Sequence, residues 1–315
     1  MSFLAIDFGG TRTRAGLFSA GLKLLARTER LSQVHRPVDD VLRCIIETAR
    51  HAAANAPDPI EAIGIAAPGP LDPHTGVIHH ARTLPGWQEV NVAAHISEAF
   101  GGAPAFVQND GNLAVLAEYH LGAARGADPA IYLTLSTGIG GGAIIGGELF
   151  TGHSGLAIEP GHQQFTMPDG EVRRLEELAS GTGITHLAER RLACSDAPSS
   201  LRSAAGIDGR AVGEAARQGD ALALSVIHEA GRWLGLGLVN IIHLFNPEAI
   251  VLGGSVVQLG NLILDPVRRT IEERVLDPDF NHSGLLRHAQ FGDDVCLVGA
   301  ALYARLRAES ASQTV

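Results

Sequence analysis

Apolar positions along this chain follow two rhythms, and the two together predict an alternating α/β architecture. Phe3 to Asp7 is a short apolar run that reads as a buried strand. Gly9-Gly10 then makes a tight turn, Arg14 to Phe18 returns, and Lys23 to Arg30 adds a third strand to an antiparallel meander. Pro37 opens a helix in which Val38, Val41, Leu42, Ile45, Ile46 and Ala49 recur at the 3.6-residue period. Ile60 to Ala66 is again a strand, stopped by Ala67-Pro68-Gly69-Pro70, and Asn91 caps a helix that runs to Phe100 and closes on Gly101-Gly102. Next comes a strand from Pro104 that runs straight into Asn109-Asp110, with a helix over Asn112 to Leu121.

The second half repeats the opening. Ala130 to Leu135 is a strand, Ser136 to Gly142 a glycine-rich turn, and Ala143 to Ile145 leads to a hairpin turn at Gly146-Gly147. Leu175 to Ser180 and Gly183 to Leu192 read as helical, and Cys194 to Ala205, rich in Ser, Ala and Pro, as an exposed excursion. A long helix spans Ala221 to Phe245 and ends at Asn246-Pro247. Gly231, Gly235 and Gly237 each weaken it by ~1 kcal/mol relative to Ala, so a neighbour or a ligand is expected to approach closely there. Ala249 to Leu252 forms a strand ending in Gly253-Gly254, a further helix follows Pro266, and Val298 to Arg307 is an amphipathic helix. Strand, small-residue turn carrying Thr, returning strand therefore occurs at 3–18 and again at 131–145, which implies two related halves with both turns facing one cleft.

Composition narrows the function. At 315 residues with 45% apolar and 18% charged positions, the chain suits two domains of a soluble globular protein. A net charge of −10 argues against nucleic acid as a partner, since a duplex footprint needs clustered basic residues. Lys23 is the only lysine, which leaves neither a Walker-type phosphate lysine nor a Schiff-base lysine. Cys44, Cys194 and Cys296 are scattered and offer no zinc spacing, as expected of a reducing compartment. No uninterrupted apolar run reaches the ~18 residues of a membrane span, and a strand begins so near the start that no signal peptide or DNA-binding head is expected. These readings place the protein in the cytoplasm.

The candidate chemistry gathers at the turns. Glycines there let backbone N–H groups approach an anion, so the turns at Gly9-Gly10-Thr11 and at Thr137-Gly138 are read as holding nucleotide phosphates. Neither a P-loop nor a Gly-x-Ser-x-Gly elbow is present, and the residues after Gly142 alternate as a strand, against a dinucleotide fold. Asp7 is either a strand-end hydrogen-bond acceptor or the holder of Mg²⁺, through water, beside the phosphates. Arg12 either contacts phosphate or is a solvated strand residue. Asp110, at the carboxyl end of a strand, is read as the base that takes a proton from the group receiving a phosphoryl, although Asn-Asp and Asp-Gly pairs also simply make turns and caps. Glu159, His162 and Glu176, with Asn109, supply donors and acceptors suited to a polyhydroxylated ligand.

Eight motifs, in order, resemble the ROK family of sugar kinases and repressors over about residues 3–302. They are Ile6-Asp7-Phe8-Gly9-Gly10-Thr11, Ala67-Pro68-Gly69-Pro70, Leu84-Pro85-Gly86-Trp87, Asn109-Asp110-Gly111-Asn112, Ser136 to Gly142, Glu159-Pro160-Gly161-His162, Leu175-Glu176 with Ala179-Ser180-Gly181, and Ile250 to Gly254. The resemblance implies an actin-like, hexokinase-type (ribonuclease H-like) α/β fold of two lobes with a cleft between them. Residues 1–108, completed by a C-terminal helix over 298–312, would form the first lobe, and 109–297 the second, with the nucleotide site. It further implies ATP and Mg²⁺ as cofactors and Asp110 as general base. Asn109, Glu159, His162, Glu176, Gly69 and Thr83 would lie at the sugar, Gly9, Gly10, Thr11, Arg12, Thr137 and Gly138 at the phosphates, and Gly253-Gly254 near the adenosine. The expected reaction is transfer to a hexose hydroxyl, foremost the glucose 6-hydroxyl, by a homodimer. A kinase for fructose, mannose or an N-acetylhexosamine, or a weakly catalytic sugar-sensing regulator, are the alternatives. The chain departs from the family in three ways. The histidine and three-cysteine zinc cluster is missing from 163–174, so no structural zinc is expected; Thr83 stands where asparagine is common; and no DNA-binding head is expected.

Overall fold

β1 (Ser2–Phe8) and β2 (Arg12–Ser19) pair antiparallel with Asp7 opposite Arg14, and β3 (Leu24–Leu31) continues the meander with Arg14 opposite Glu29. The computed structural model describes residues 1–81 and 83–313. After β3 comes α1 (Val38–Ala53), led in by Pro37, which buries Val41, Leu42, Ile45 and Ala49 in a core shared with Leu4, Ile6, Ile63 and Ile65. β4 (Ile60–Ala67) lies parallel to β1 on the side away from β2. Two-residue strands β5 (Leu71–Asp72), β6 (Val77–Ile78) and β7 (Val90–Asn91) form a small sheet, and Asn91 caps α2 (Val92–Ala99) by accepting from the Ala94 N–H at 2.9 Å. β8 (Ala105–Asn109) then pairs parallel to β4, giving the sheet order β3-β2-β1-β4-β8.

Register decides what shares an edge. Asp7 lies beside Ala66 and Ala66 beside Gln108, so Asp7 and the Asn109-Asp110 pair stand at the same carboxyl end, with two strand spacings, roughly 10 Å, between their backbones. α3 (Asp110–Leu121) starts at Asp110 itself, two residues before the expected Asn112, because Asn109 serves as its cap.

The second sheet repeats the first. β9 (Ala130–Leu135) and β10 (Ile139–Ile145) are antiparallel, and β11 (Glu148–Leu149) follows a turn with Gly146 and Gly147 both at positive φ, 61° and 78°. The order β11-β10-β9-β14-β15 matches that of the first sheet strand for strand: three antiparallel, then two parallel. Gly140, Gly141 and Gly142 belong to β10 and not to the turn, which contains only Ser136, Thr137 and Gly138. A Cβ on Gly141 would stand 2.8 Å from the Tyr132 carbonyl and 3.0 Å from Pro160, so strand packing accounts for that glycine.

β12 (Gln164–Thr166) and β13 (Val172–Arg174) make a small hairpin ahead of α4 (Leu175–Ala179) and α5 (Gly181–Ala193). Cys194 to Ala205 is exposed, as expected, at every position but Ser199 and Leu201, and it is tied down at those points. Leu201 enters the core, and Asp220 Oδ2 accepts from the Ser199 and Ser200 hydroxyls, both at 2.9 Å, and from the Ser200 N–H at 2.7 Å. α6 (Gly209–Arg217), absent from the sequence reading, is capped by Asp208 and buries Val212, Ala215 and Ala216. α7 (Ala221–Phe245) ends on Asn246 in the left-handed conformation. Its glycines make room for neighbours: a Cβ on Gly231 would meet Pro266 at 2.8 Å, one on Gly235 would meet Thr270 at 2.6 Å, and one on Gly237 would meet Leu175 at 2.5 Å. β14 (Ala249–Gly253) precedes α8 (Asn261–Arg274), which contains Pro266 and does not follow it. Packing against Gly231 offsets the hydrogen bond that a proline cannot donate. β15 (Leu286–His288) completes the sheet and α9 (Val295–Gln313) the chain.

Two compact units result: 1–125 with 149–157 and 290–315, and 126–148 with 158–289. Residues 109–125, given to the second lobe above, thus fall in the first unit. A Cβ on Gly299 of α9 would lie 2.0 Å from the Leu113 carbonyl of α3, and one on Gly64 of β4 would lie 1.9 Å from the Ala300 carbonyl, so α9 is packed on both.

Candidate active site

In the first unit, the end of β8 is organised by Gln108, which the sequence reading passed over. Its buried Oε1 accepts from the Asn109 N–H at 2.8 Å and from Asn112 Nδ2 at 3.2 Å, fixing the switch from strand to helix. The Gly111 N–H then donates to Asn109 Oδ1 at 2.9 Å and to Asp110 Oδ1 at 2.8 Å, so the first turn of α3 orients the Asp110 carboxylate. The Cys296 thiol points at the Asp110 carbonyl, 3.7 Å away, and its pKa is pushed well above the usual thiol range by burial and by the Asp7 and Asp110 charges. That thiol is a packing group and no nucleophile.

Asp7 has a side chain only 13% exposed, and Arg14 donates to its Oδ2 at 3.0 Å. Burial raises its pKa to about 6 against the attraction of Arg14, with the Asp110 charge adding a smaller upward push. Arg14 also reaches Glu29 Oε2 at 3.2 Å, and the exposed Arg12 pairs with the other oxygen of Glu29. The strand-residue reading of Arg12 thus has a partner in the structure.

Glycines of the turn between β1 and β2 contrast with those of the core. Added Cβ atoms on Gly9 and Gly10 would find nothing nearer than the Arg12 carbonyl at 3.5 Å and the Thr83 carbonyl at 3.4 Å, and neither residue has a positive φ. The protein's own packing therefore does not require glycine at either place, while a ligand approaching the backbone would. Gly69 lies against Asn109 Nδ2, 3.4 Å from its would-be Cβ, so Gly69 adjoins Asn109 and Thr83 adjoins Gly10. Exposed Thr11 gives its carbonyl to the Ser32 N–H at 3.0 Å.

In the second unit, the turn carrying Thr137 and Gly138 is pinned from behind. The Gly181 N–H donates to the Ser136 carbonyl at 2.7 Å, and the Thr182 hydroxyl to the Thr137 carbonyl at 2.8 Å. Glu176 reaches the turn from the front, its Oε2 3.2 Å from where a Cβ on Gly138 would stand. Around Glu176 lie His162, with Nδ1 3.6 Å from Glu159 Oε2, and Arg174, with Nη1 3.0 Å from Glu176 Oε1. Partial desolvation of an otherwise exposed side chain raises the Glu159 pKa, with His162 opposing the shift and the Glu176 charge adding to it. Beside Thr137 opens a cavity of about 560 Å³ lined by Thr182, Asp208, Arg210, Ser255 and Gln258, none of which the sequence reading singled out. Their spread over α5, α6 and the segment after β14 left no linear signal. Gly253 and Gly254 are explained by packing: a Cβ on Gly253 would meet Tyr132 Oη at 2.3 Å, and one on Gly254, at φ +92°, the Leu135 carbonyl at 2.4 Å. Ser255 carries that segment to the cavity.

The ROK family model matches residues 3–307. The chain belongs to the ROK family. A glucokinase from Thermotoga maritima is 30% identical over 96% of both chains. A crystal structure of a ROK family glucokinase from Streptomyces griseus, in complex with glucose and AMPPNP, aligns with a TM-score of 0.82 at 32% identity, covering 97% of this chain and 100% of that one. A ROK family transcriptional regulator aligns with a TM-score of 0.84 at 28% identity, covering 98% of this chain and 78% of that chain. The doubled five-stranded sheet is the expected actin-like, hexokinase-type fold.

For a ROK protein that uses a nucleotide, the divalent cation is the remaining question. Among the described residues no group of three or more His, Cys, Asp or Glu side chains could hold a metal. Mg²⁺ makes no such demand, since it keeps waters and substrate phosphates and takes one or two carboxylates. Asp7 fits that role: one oxygen is held by Arg14, and its raised pKa marks a buried carboxylate short of positive charge.

Proposed function

We propose that this chain is an ATP-dependent hexose kinase acting on the 6-hydroxyl of glucose. Asp110 carries the reading: a carboxylate at the carboxyl end of a strand, held by a helix-terminal N–H and on the same sheet edge as Asp7. Asp110 takes the proton of the sugar hydroxyl as its oxygen forms the new bond to the γ-phosphorus. The bond from that phosphorus to the bridging oxygen breaks, and ADP leaves with the electron pair. Gly9, Gly10, Thr11, Thr137 and Gly138 offer backbone and hydroxyl donors to the phosphates, and Arg12 stands at the start of β2 beside them. The cavity lined by Thr182, Arg210 and Ser255 takes the nucleoside, with Gly253-Gly254 bringing Ser255 to it. Asn109, Glu159, His162 and Glu176 bind sugar hydroxyls, with Gly69 and Thr83 alongside. Asp7 would hold Mg²⁺, which would supply charge neutralisation on the phosphates.

The reading includes a homodimer, which rests on the family resemblance, and the cytoplasm, which rests on the scattered cysteines. Among the described residues no helix is long and apolar enough to cross a membrane. A coupled ADP-release assay over glucose, fructose, mannose and N-acetylhexosamines tests the reaction. Glucose is expected to give the highest kcat/KM. Asp110→Asn is expected to keep glucose binding by calorimetry and to lose roughly 10²–10⁴ in kcat. Unchanged kcat would remove Asp110 from the mechanism, and sugar binding without turnover in the unsubstituted protein would favour the regulator.

A further inference from the structure

The segments carrying Glu159-His162 and Glu176 are separated in sequence by the β12–β13 hairpin, yet they are drawn into one polar cluster. Three carboxylates, Glu159, Glu176 and Glu177, surround it, and a cation between them relieves their mutual repulsion, which water screens in part. Arg174 is that cation. Its Nη1 is 3.0 Å from Glu176 Oε1 and 3.5 Å from His162 Nε2, and its Nη2 is 3.3 Å from Glu177 Oε1. Its backbone N–H donates to Glu177 Oε2 at 2.7 Å, so the same glutamate closes the first turn of α4 and anchors the guanidinium.

From this geometry we infer that Arg174 is the positioning residue of the sugar-binding loop, a guanidinium bridge that holds His162 and Glu176 in register and fixes the His162 tautomer. An arginine has no lone pair to offer, so its contact with His162 favours Nε2 as the acceptor and Nδ1 as the protonated nitrogen, which faces Glu159 Oε2 at 3.6 Å. Both ring nitrogens thereby have a defined role, and Glu159 and Glu176 are held apart by the two groups between them. The hairpin supports this arrangement from below. The Leu175 N–H donates to the Gln163 carbonyl at 2.8 Å, Asn240 Nδ2 to Gln163 Oε1 at 3.0 Å, and Phe165 packs edge-on against Trp233 at 5.6 Å. Charge thus braces this segment.

The inference builds on the sugar-site reading above, so its test has an arm that does not need turnover. Nitrogen-15 spectra of the imidazoles, with His162 assigned by His162→Gln, are expected to show the Nδ1–H tautomer in the unsubstituted protein and a mixed tautomer in Arg174→Ala. In the kinase assay Arg174→Ala is expected to raise the KM for glucose by about tenfold or more, with kcat within about fivefold and the KM for ATP unchanged. Added guanidinium ion is expected to restore the KM partly. Should Arg174→Ala fail to fold, Arg174→Gln gives the same two readouts. An unchanged His162 tautomer, or a glucose KM equal to that of the unsubstituted protein, overturns the bridge. Failure of the hexose assay alone, with the tautomer change intact, removes the kinase reading and leaves the bridge standing.

Discussion

At the scale of single residues, glycines separate fold from function more clearly than any other residue type. Gly254 combines φ +92° with a would-be Cβ 2.4 Å from the Leu135 carbonyl, whereas a Cβ on Gly10 would meet nothing nearer than the Thr83 carbonyl at 3.4 Å, an ordinary contact. Gly254→Ala is therefore expected to cost about 2–3 kcal/mol in urea unfolding. Gly10→Ala should leave the unfolding midpoint nearly unchanged and raise the KM for ATP by about tenfold, or ~1.4 kcal/mol of binding. From sequence all of these were merely Gly-Gly pairs, because a clash depends on a partner far along the chain. Asp7 gives a pH prediction. Its pKa is near 6 in the folded protein against an ordinary value near 3.8, so its protonated form favours folding, and that contribution is lost as pH rises from about 4 to above 6. A shift of roughly two units corresponds to about 3 kcal/mol. The stability of Asp7→Asn relative to the unsubstituted protein should therefore rise by up to that amount between pH 4 and pH 7.5, apart from a constant offset for the amide, and denaturant titrations at the two pH values check it.

At the scale of elements, Glu118 shows how one buried side chain ties distant segments together. Lying in α3 and fully buried, it accepts from the Ala123 N–H at 2.7 Å and from the Gln290 and Phe291 N–H groups at 2.8 and 3.2 Å. Glu118→Ala would take their acceptor from the Gln290 and Phe291 amides, and a loss of roughly 2–5 kcal/mol is expected, read as the shift in urea midpoint at constant m. Nothing in the helical period of α3 announces that role, since the partners arrive from nearly the other end of the chain. Elements with strong local signals were legible. α7 has its predicted bounds, and β1, β2 and β3 fall where apolar runs and glycine turns put them. The two-residue strands and α6 were not: a two-residue strand is defined by its partner, and the small Val-Ala face of α6 gives a weak period. Pro266 misled for a related reason, because only the facing Gly231 makes a proline inside α8 tolerable.

On the scale of the whole molecule, the strand-turn-strand repeat seen at 3–18 and 131–145 proves to be the visible part of a five-strand correspondence. Its last strand, β15, escaped notice because it has only three residues and is defined by its pairing with β14. Candidate site residues on motif stretches were legible as types and positions, while Gln108, Arg174 and the cavity residues of α5 and α6 were not, as each acts through a neighbour brought by the fold. The first unit is also discontinuous: its sheet is drawn from the beginning of the chain and α9 from the end. A chain ending at residue 294 is expected to lose protection from hydrogen exchange at β4 and α3, whose glycine and carbonyl contacts with α9 would be gone, while β9 and β14 keep theirs. The same feature bears on synthesis at the ribosome. Usually the portion translated first is the portion that matures first; here the earliest-made sheet must wait, its groove over Gly64 open, until α9 has been made. A nascent chain stalled just before α9 would therefore present its oldest half, and not its newest, to chaperones and proteases.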